Sequence, residues 1–305
     1  MLAGMLVLAA AAQPAVIVER MGFKVADAFE PQAAVSGELR IPASSRERLP
    51  AVLILHGSAG IDGRGASYAE ALNAAGIATL EIDLFQGRGR PATTRHNMPH
   101  AFESLQWLAA HPRIDGARVG VMGFSWGAVM SLLSASEEVA RHHGAGRRFA
   151  AHLALYPVCW TQRGVLSRGT PHYPKGTYQR LTGSPVHILA GDKDDYDAPG
   201  NCTRFVAELP DAARAHVTLT VYEGATHGWD SGSGGEYHDI VAHDGKGGTV
   251  RVVADTAMAS RSRAFAVSFF RRYLAQGLAS GEPTSARGIG PSWDPSTRCA
   301  GRAPA

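Results

Sequence analysis

The chain has 305 residues, 45% of them hydrophobic and 19% charged, with a formal net charge of +3. This is the composition of an ordinary globular protein with apolar material for a large core, and it contains no internal repeat or long low-complexity tract. The charge is small for the length and the basic pairs Arg147-Arg148 and Arg271-Arg272 are isolated, so they read as solvated helix ends and loops rather than a nucleic-acid surface.

Residues 1–12, Met-Leu-Ala-Gly-Met-Leu-Val-Leu-Ala-Ala-Ala-Ala, form an apolar run ending in small residues. It is too short to span a bilayer, which takes ~20 apolar residues, and predicts a signal peptide cleaved near Ala12-Gln13, although it lacks Lys and Arg. The expectation is export to the periplasm or medium; without a signal function the protein is cytoplasmic. From about residue 33 to 275 strand and helix patterns alternate without a linker, which predicts one α/β domain. Residues 33–41 alternate loosely up to Pro42 and predict an antiparallel edge strand. Pro50-Ala-Val-Leu-Ile-Leu55 is a continuous apolar run, the pattern of a strand covered on both faces, and stops at His56-Gly-Ser-Ala-Gly60.

Ser67 to Ala75 predict a helix with Tyr68, Ala71, Leu72 and Ala75 on its inner face. Ile77 to Phe85 follow as a strand, with Arg88 and Arg90 in the loop beyond it, where they are candidates to greet an anionic substrate. Ala101 to Ala110 read as a helix that bears Phe102, Leu105 and Leu108 inward.

The next stretch organises the chain. Val119-Gly-Val-Met-Gly-Phe-Ser-Trp-Gly-Ala128 reads as a buried strand that turns through Ser125 into a helix of small residues. Gly-Phe-Ser-Trp-Gly has the G-x-S-x-G pattern, in which flanking glycines let strand and helix approach closely around a strained, exposed hydroxyl at a helix amino end. Free N–H groups there stabilise an oxyanion, and the candidate donors are the backbone N–H of Trp126 and that of Ser58 in the earlier glycine-rich loop. The helix is expected to run from Ala128 to Ala140, and the next strand from Phe149 to Tyr156.

Residues 161–183 lack periodicity and predict a long substrate-facing loop. Pro185 to Ala190 form a buried strand that enters Gly191-Asp-Lys-Asp-Asp-Tyr-Asp197, so Asp194, Asp195 and Asp197 are candidate triad acids. A helix around Cys202 to Leu209 and an alternating strand, 216–222, lead to Glu223-Gly-Ala-Thr-His-Gly-Trp-Asp230, a loop presenting His227. His238 and His243 in the glycine-rich excursion 231–250 are rivals farther from any strand end. Thr256 to Leu274 close the domain as a helix with Ala264, Val267, Phe270 and Leu274 inward, and 276–305 read as a loosely packed tail. Trp126, Trp160, Tyr196 and Trp229 are candidates to line an apolar pocket. The cysteines, Cys159, Cys202 and Cys299, fit an exported protein with one disulfide and equally a cytosolic one with free thiols; no pair has metal-ligand spacing, and His142-His143 suit a surface helix end.

The order Ser125, acid, His227 is that of an α/β-hydrolase fold, a mostly parallel central sheet with helices on both faces. With His56-Gly57, Gly123-Phe-Ser-Trp-Gly-Ala128, Gly191-Asp-Lys-Asp194 and Gly224-Ala-Thr-His-Gly228, the chain resembles the dienelactone hydrolase family over roughly residues 33–275. The resemblance implies Asp194 as the acid of a Ser125–His227–Asp194 triad, cleavage of small-molecule esters, and no metal or organic cofactor. Founding members carry a cysteine where this chain has Ser125, which keeps ester cleavage and points away from the dienelactone substrate. Exported members carry cysteines where Cys159 and Cys202 stand, which implies that these two pair. A peptidase or thioesterase on the same scaffold, and a non-catalytic binding protein, are the competing readings.

Overall fold

The computed structural model describes residues 15–26, 32–43, 47–85 and 93–275. The N-terminal apolar run, Arg88, Arg90, and the tail with Cys299 lie outside them. The first half of the chain supplies β1 (Val16–Val25), β2 (Ala33–Pro42), β3 (Leu49–Leu55), α1 (Arg64–Ala74), β4 (Ala78–Asp83), α2 (Thr94–Ala110), β5 (Ile114–Phe124), α3 (Trp126–Ser134) and α4 (Glu137–His143). The second half supplies β6 (His152–Leu155), α5 (Cys159–Ser167), β7 (Val186–Gly191), α6 (Asn201–Glu208), α7 (Asp211–Arg214), β8 (Val217–Tyr222), β9 (Gly235–Asp239), α8 (Ala242–Gly245), β10 (Gly248–Val252) and α9 (Thr256–Leu274).

Eight strands form one sheet in the order β1-β2-β4-β3-β5-β6-β7-β8. β1, β2 and β4 pair antiparallel, and from β4 onward all pairing is parallel. The continuous apolar runs are central because both of their faces are covered. In β3, Ala51, Leu53 and Leu55 face the layer holding α2 to α7, while Val52 and Ile54 face α1 and α9. Among the described residues no helix is long and apolar enough to cross a membrane.

Several expectations are corrected. β2 is not the edge; β1 covers it, and its exposed Val16, Ile17 and Val18 gave no inward-outward signal. α1 starts at Arg64 and buries Ala69 rather than Ala71 beside Tyr68 and Leu72. α2 begins at Thr94, because its first turns bury His96, Asn97 and His100, polar residues that carry no hydrophobic period. The helix after Ser125 breaks at Ser136, whose hydroxyl accepts a hydrogen bond from the Val139 N–H and caps α4. α9 turns Met258, Ala266 and Phe269 inward and leaves Ala264 exposed.

The predicted loop 161–183 is in part the helix α5. Its amino end is held by a residue remote in sequence: Asp197 accepts hydrogen bonds from the N–H groups of Cys159 and Trp160, both at 2.9 Å. Cys159 is also disulfide-bonded to Cys202 in α6, 43 residues away.

Glu81 on β4 is only 8% exposed and packs over Gly65 in the first turn of α1, where any Cβ would collide with its carboxyl. Burial pushes its pKa up to about 7. The folded protein therefore holds a proton that the unfolded chain has released between roughly pH 4.5 and 7, so stability falls as pH rises through that window. Glu81→Gln should flatten the fall by about 2 kcal/mol between pH 5 and pH 8 in urea denaturation compared with the unsubstituted protein.

Candidate active site

Ser125 sits at the turn from β5 into α3 with φ 48° and ψ −106°, a strained backbone for a non-glycine residue. Two glycines permit the turn: a Cβ at Gly123 would strike the Gly127 peptide, and one at Gly127 would strike the Leu55 carbonyl of β3. The Ser125 hydroxyl donates to His227 Nε2 at 2.9 Å, and His227 Nδ1–H donates to Asp194 Oδ2 at 2.8 Å. Since a carboxylate only accepts, Asp194 fixes the tautomer that turns the free Nε2 lone pair toward the serine. Asp194 is itself held, because its Oδ1 accepts from the N–H groups of Tyr196 at 2.9 Å and Asp197 at 3.1 Å.

The other acids of that loop do different work. Asp195 Oδ2 accepts from the Arg251 N–H of β10, and Asp197 caps α5. Burial pushes the Asp197 carboxyl up to about 7 against the pull of its N–H donors. His243 hydrogen-bonds the Thr249 carbonyl within its own hairpin and His238 lies on the exposed strand β9, so neither rival contacts Ser125.

Trp126 is the first residue of α3, where an N–H has no carbonyl partner in its own helix, and Ser58 faces the same cavity as Ser125. His56 braces the Ser58 loop: its Nδ1–H donates to the Gly57 carbonyl at 2.7 Å and its Nε2 accepts from the Leu84 N–H at 2.9 Å. Burial lowers the His56 pKa, in keeping with a neutral ring that donates at one nitrogen and accepts at the other.

A cavity of about 540 Å³ opens onto Ser125, between α3, α5, the segment after α5 and the tip of the β9–β10 hairpin. Trp126 and Tyr196 line it. Trp229 does not; it is fully buried and donates its indole N–H to Ser262 at 2.8 Å. Trp160 packs against Gly245 in the α8 turn. The hairpin, read from sequence only as a polar excursion, docks on the loops that carry Asp194 and His227, with the His243 N–H bonded to the Tyr196 carbonyl and the Val253 N–H to Thr226 Oγ1.

A second group was missed by sequence reasoning. Asp230, three residues after His227, accepts from the hydroxyls of Tyr156 at 2.6 Å and Tyr68 at 2.7 Å. Arg64 Nη1 donates to the Tyr156 hydroxyl at 3.0 Å, while its other nitrogens pair with Asp62. The Arg64 guanidinium also lies over the ring of Phe124, the residue before Ser125, at 5.5 Å. The Tyr156 and His227 rings meet edge to face with centroids 5.1 Å apart, so the network braces the histidine loop from behind. Burial raises the Asp230 carboxyl above its ordinary range, opposed by the Tyr156 bond, the Arg64 charge and the Tyr68 bond. The sequence signal was the carboxylate at the end of a tight histidine loop. Asp230→Ala leaves two buried hydroxyls without their acceptor, and should cost about 3–5 kcal/mol in urea denaturation.

A family model described as the dienelactone hydrolase family matches residues 35–274. An uncharacterized protein of Mycobacterium tuberculosis is 26% identical over 171 residues, a stretch covering 54% of this chain and 59% of that relative. Less than two thirds of the relative's length is therefore matched. Among solved structures, a thermophilic esterase of Thermogutta terrifontis superposes with a TM-score of 0.60 at 16% identity, covering 86% of this chain and 95% of the esterase. A dienelactone hydrolase-like promiscuous phosphotriesterase from metagenomic libraries superposes with a TM-score of 0.58 at 18% identity, covering 84% and 98%. At these identities the structural likeness is one of fold, and the fold is that of the α/β-hydrolases. The family model spans most of the chain, from the second strand to the last turn of the closing helix, and the chain accordingly belongs to the dienelactone hydrolase family.

Proposed function

We propose that the protein is a serine esterase that hydrolyses carboxylic esters through an acyl-enzyme. The observation that carries this reading is the unbroken hydrogen-bond line from the Ser125 hydroxyl through His227 to a buried Asp194. Ser125 Oγ attacks the ester carbonyl as His227 Nε2 takes its proton, and collapse of the tetrahedral intermediate breaks the bond to the leaving oxygen, which receives that proton. Water then repeats the sequence on the acyl-enzyme, releases the carboxylic acid and restores Ser125. Asp194 orients the imidazole and stabilises its charged form. The N–H groups of Trp126 and Ser58 hold the oxyanion, each contributing about 3 kcal/mol to the transition state.

Export belongs to the same reading. The Cys159–Cys202 disulfide needs an oxidising compartment, which agrees with a signal function for residues 1–12. Thioesters and peptides would pass through the same intermediate, and substrate profiling separates them from esters.

Intact mass after exposure to a fluorophosphonate probe tests the mechanism. The native protein should gain one adduct, and Ser125→Ala none. In turnover of 4-nitrophenyl acetate, kcat should fall by about 10⁶-fold in Ser125→Ala and His227→Ala, and by about 10⁴-fold in Asp194→Asn. A folded native protein that gains no adduct would overturn the reading.

A further inference from the structure

The cavity at Ser125 has two sides of different character. Along one, Trp126, Val129 and Leu133 follow Ser125 at helical spacing and form one stripe of α3, faced by Val165 of α5. On the other stand Tyr196 and the hairpin tip Asp239-Ile240-Val241. The Tyr196 ring stacks on His227, with centroids 4.8 Å apart and planes 22° from parallel. This second side is therefore the histidine side. His227 must return its proton to the leaving oxygen, so the alcohol portion of a bound ester lies beneath Tyr196 and the hairpin tip, and the acyl portion points along α3.

We infer that the substrate is an ester of an extended, uncharged apolar acid, its acyl chain lying along the Val129–Leu133–Val165 stripe and its uncharged alcohol beneath the hairpin. The inference rests on the esterase reading above and specifies its substrate class. About 540 Å³ is room for far more than an acetyl group, within the ~300–1,000 Å³ of sites that enclose drug-sized ligands. Val129, Leu133 and Val165 reward each added methylene, and none of the three offers a carboxylate a partner. On the alcohol side, the Asp239 carboxylate accepts from the Val241 N–H at 2.7 Å, and its charge repels an anionic leaving group. Ile240 at the mouth is 80% exposed, an apolar side chain that a bound alcohol would cover.

The experiment compares kcat/KM for 4-nitrophenyl acetate, butyrate and hexanoate, and for methyl 4-acetoxybenzoate against 4-acetoxybenzoate, with fluorophosphonate labelling alongside. The ratio of hexanoate to acetate should be between about tenfold and a few hundredfold. Leu133→Trp and, separately, Val165→Trp should lower that ratio by about tenfold by filling the end of the stripe. The neutral acetoxybenzoate should be preferred by at least about tenfold, and Asp239→Asn should narrow that preference. The native chain-length profile stands without any variant, so a misfolded tryptophan variant does not remove the test. Labelling with a flat or falling chain-length profile overturns the inference and leaves the esterase reading standing. Absence of labelling removes the esterase reading and this inference together.

Discussion

The Gly127 peptide of α3 lies so close to the Leu55 carbonyl at the end of β3 that no side chain fits between them. Gly123 makes the matching contact from β5. This approach forces the chain to reverse at Ser125 within a single residue, and the reversal accounts for the backbone strain there. It also sets the direction of α3. From that direction follow the position of the Trp126 N–H, the stripe of α3 that walls the cavity, and the distance at which a histidine must be held to meet the serine. Close packing, which has no chemistry of its own, thus fixes the geometry on which the chemistry would depend.

What the sequence made legible divides along a physical line. β3, β5, β6 and β7 are buried on both faces and announce themselves as apolar runs, and the turn at Ser125 is legible because the strain demands glycine locally. The loops bearing Ser125, Asp194 and His227 were picked out as strand ends that match the chain order of an α/β-hydrolase. Elements held by partners distant in the chain were hidden. α5 is fastened at its amino end by Asp197 and Cys202, and the β9–β10 hairpin is anchored by the acid and histidine loops. The bond between Tyr68 and Asp230 spans 162 residues and leaves no local trace.

Three aspartates within four residues show how little residue type alone decides. Asp194 faces His227, Asp195 holds the hairpin backbone, and Asp197 caps a helix across the cavity. Each role follows from the direction in which the turn after β7 aims the side chain, since Asp194 Oδ1 itself draws in the N–H groups of residues 196 and 197 and winds the turn. The acid opposite the histidine is thus also the organiser of its neighbours' orientations. Behind the histidine, Arg64 and Asp230 supply the complementary brace, a cation and a carboxylate joined through one tyrosine hydroxyl and shared between the loops that surround the serine.

The disulfide between Cys159 and Cys202 carries a consequence for handling the protein. It fastens the first turn of α5, the helix that brings Val165 to the cavity, to the first turn of α6. A preparation made in a reducing cytoplasm and one matured in an oxidising compartment would share every residue of the folded domain yet differ in how firmly one side of the cavity is tethered. Batches that disagree in their preference among acyl chains, while labelling equally at the serine, would be explained by thiol content before any appeal to sequence or folding error.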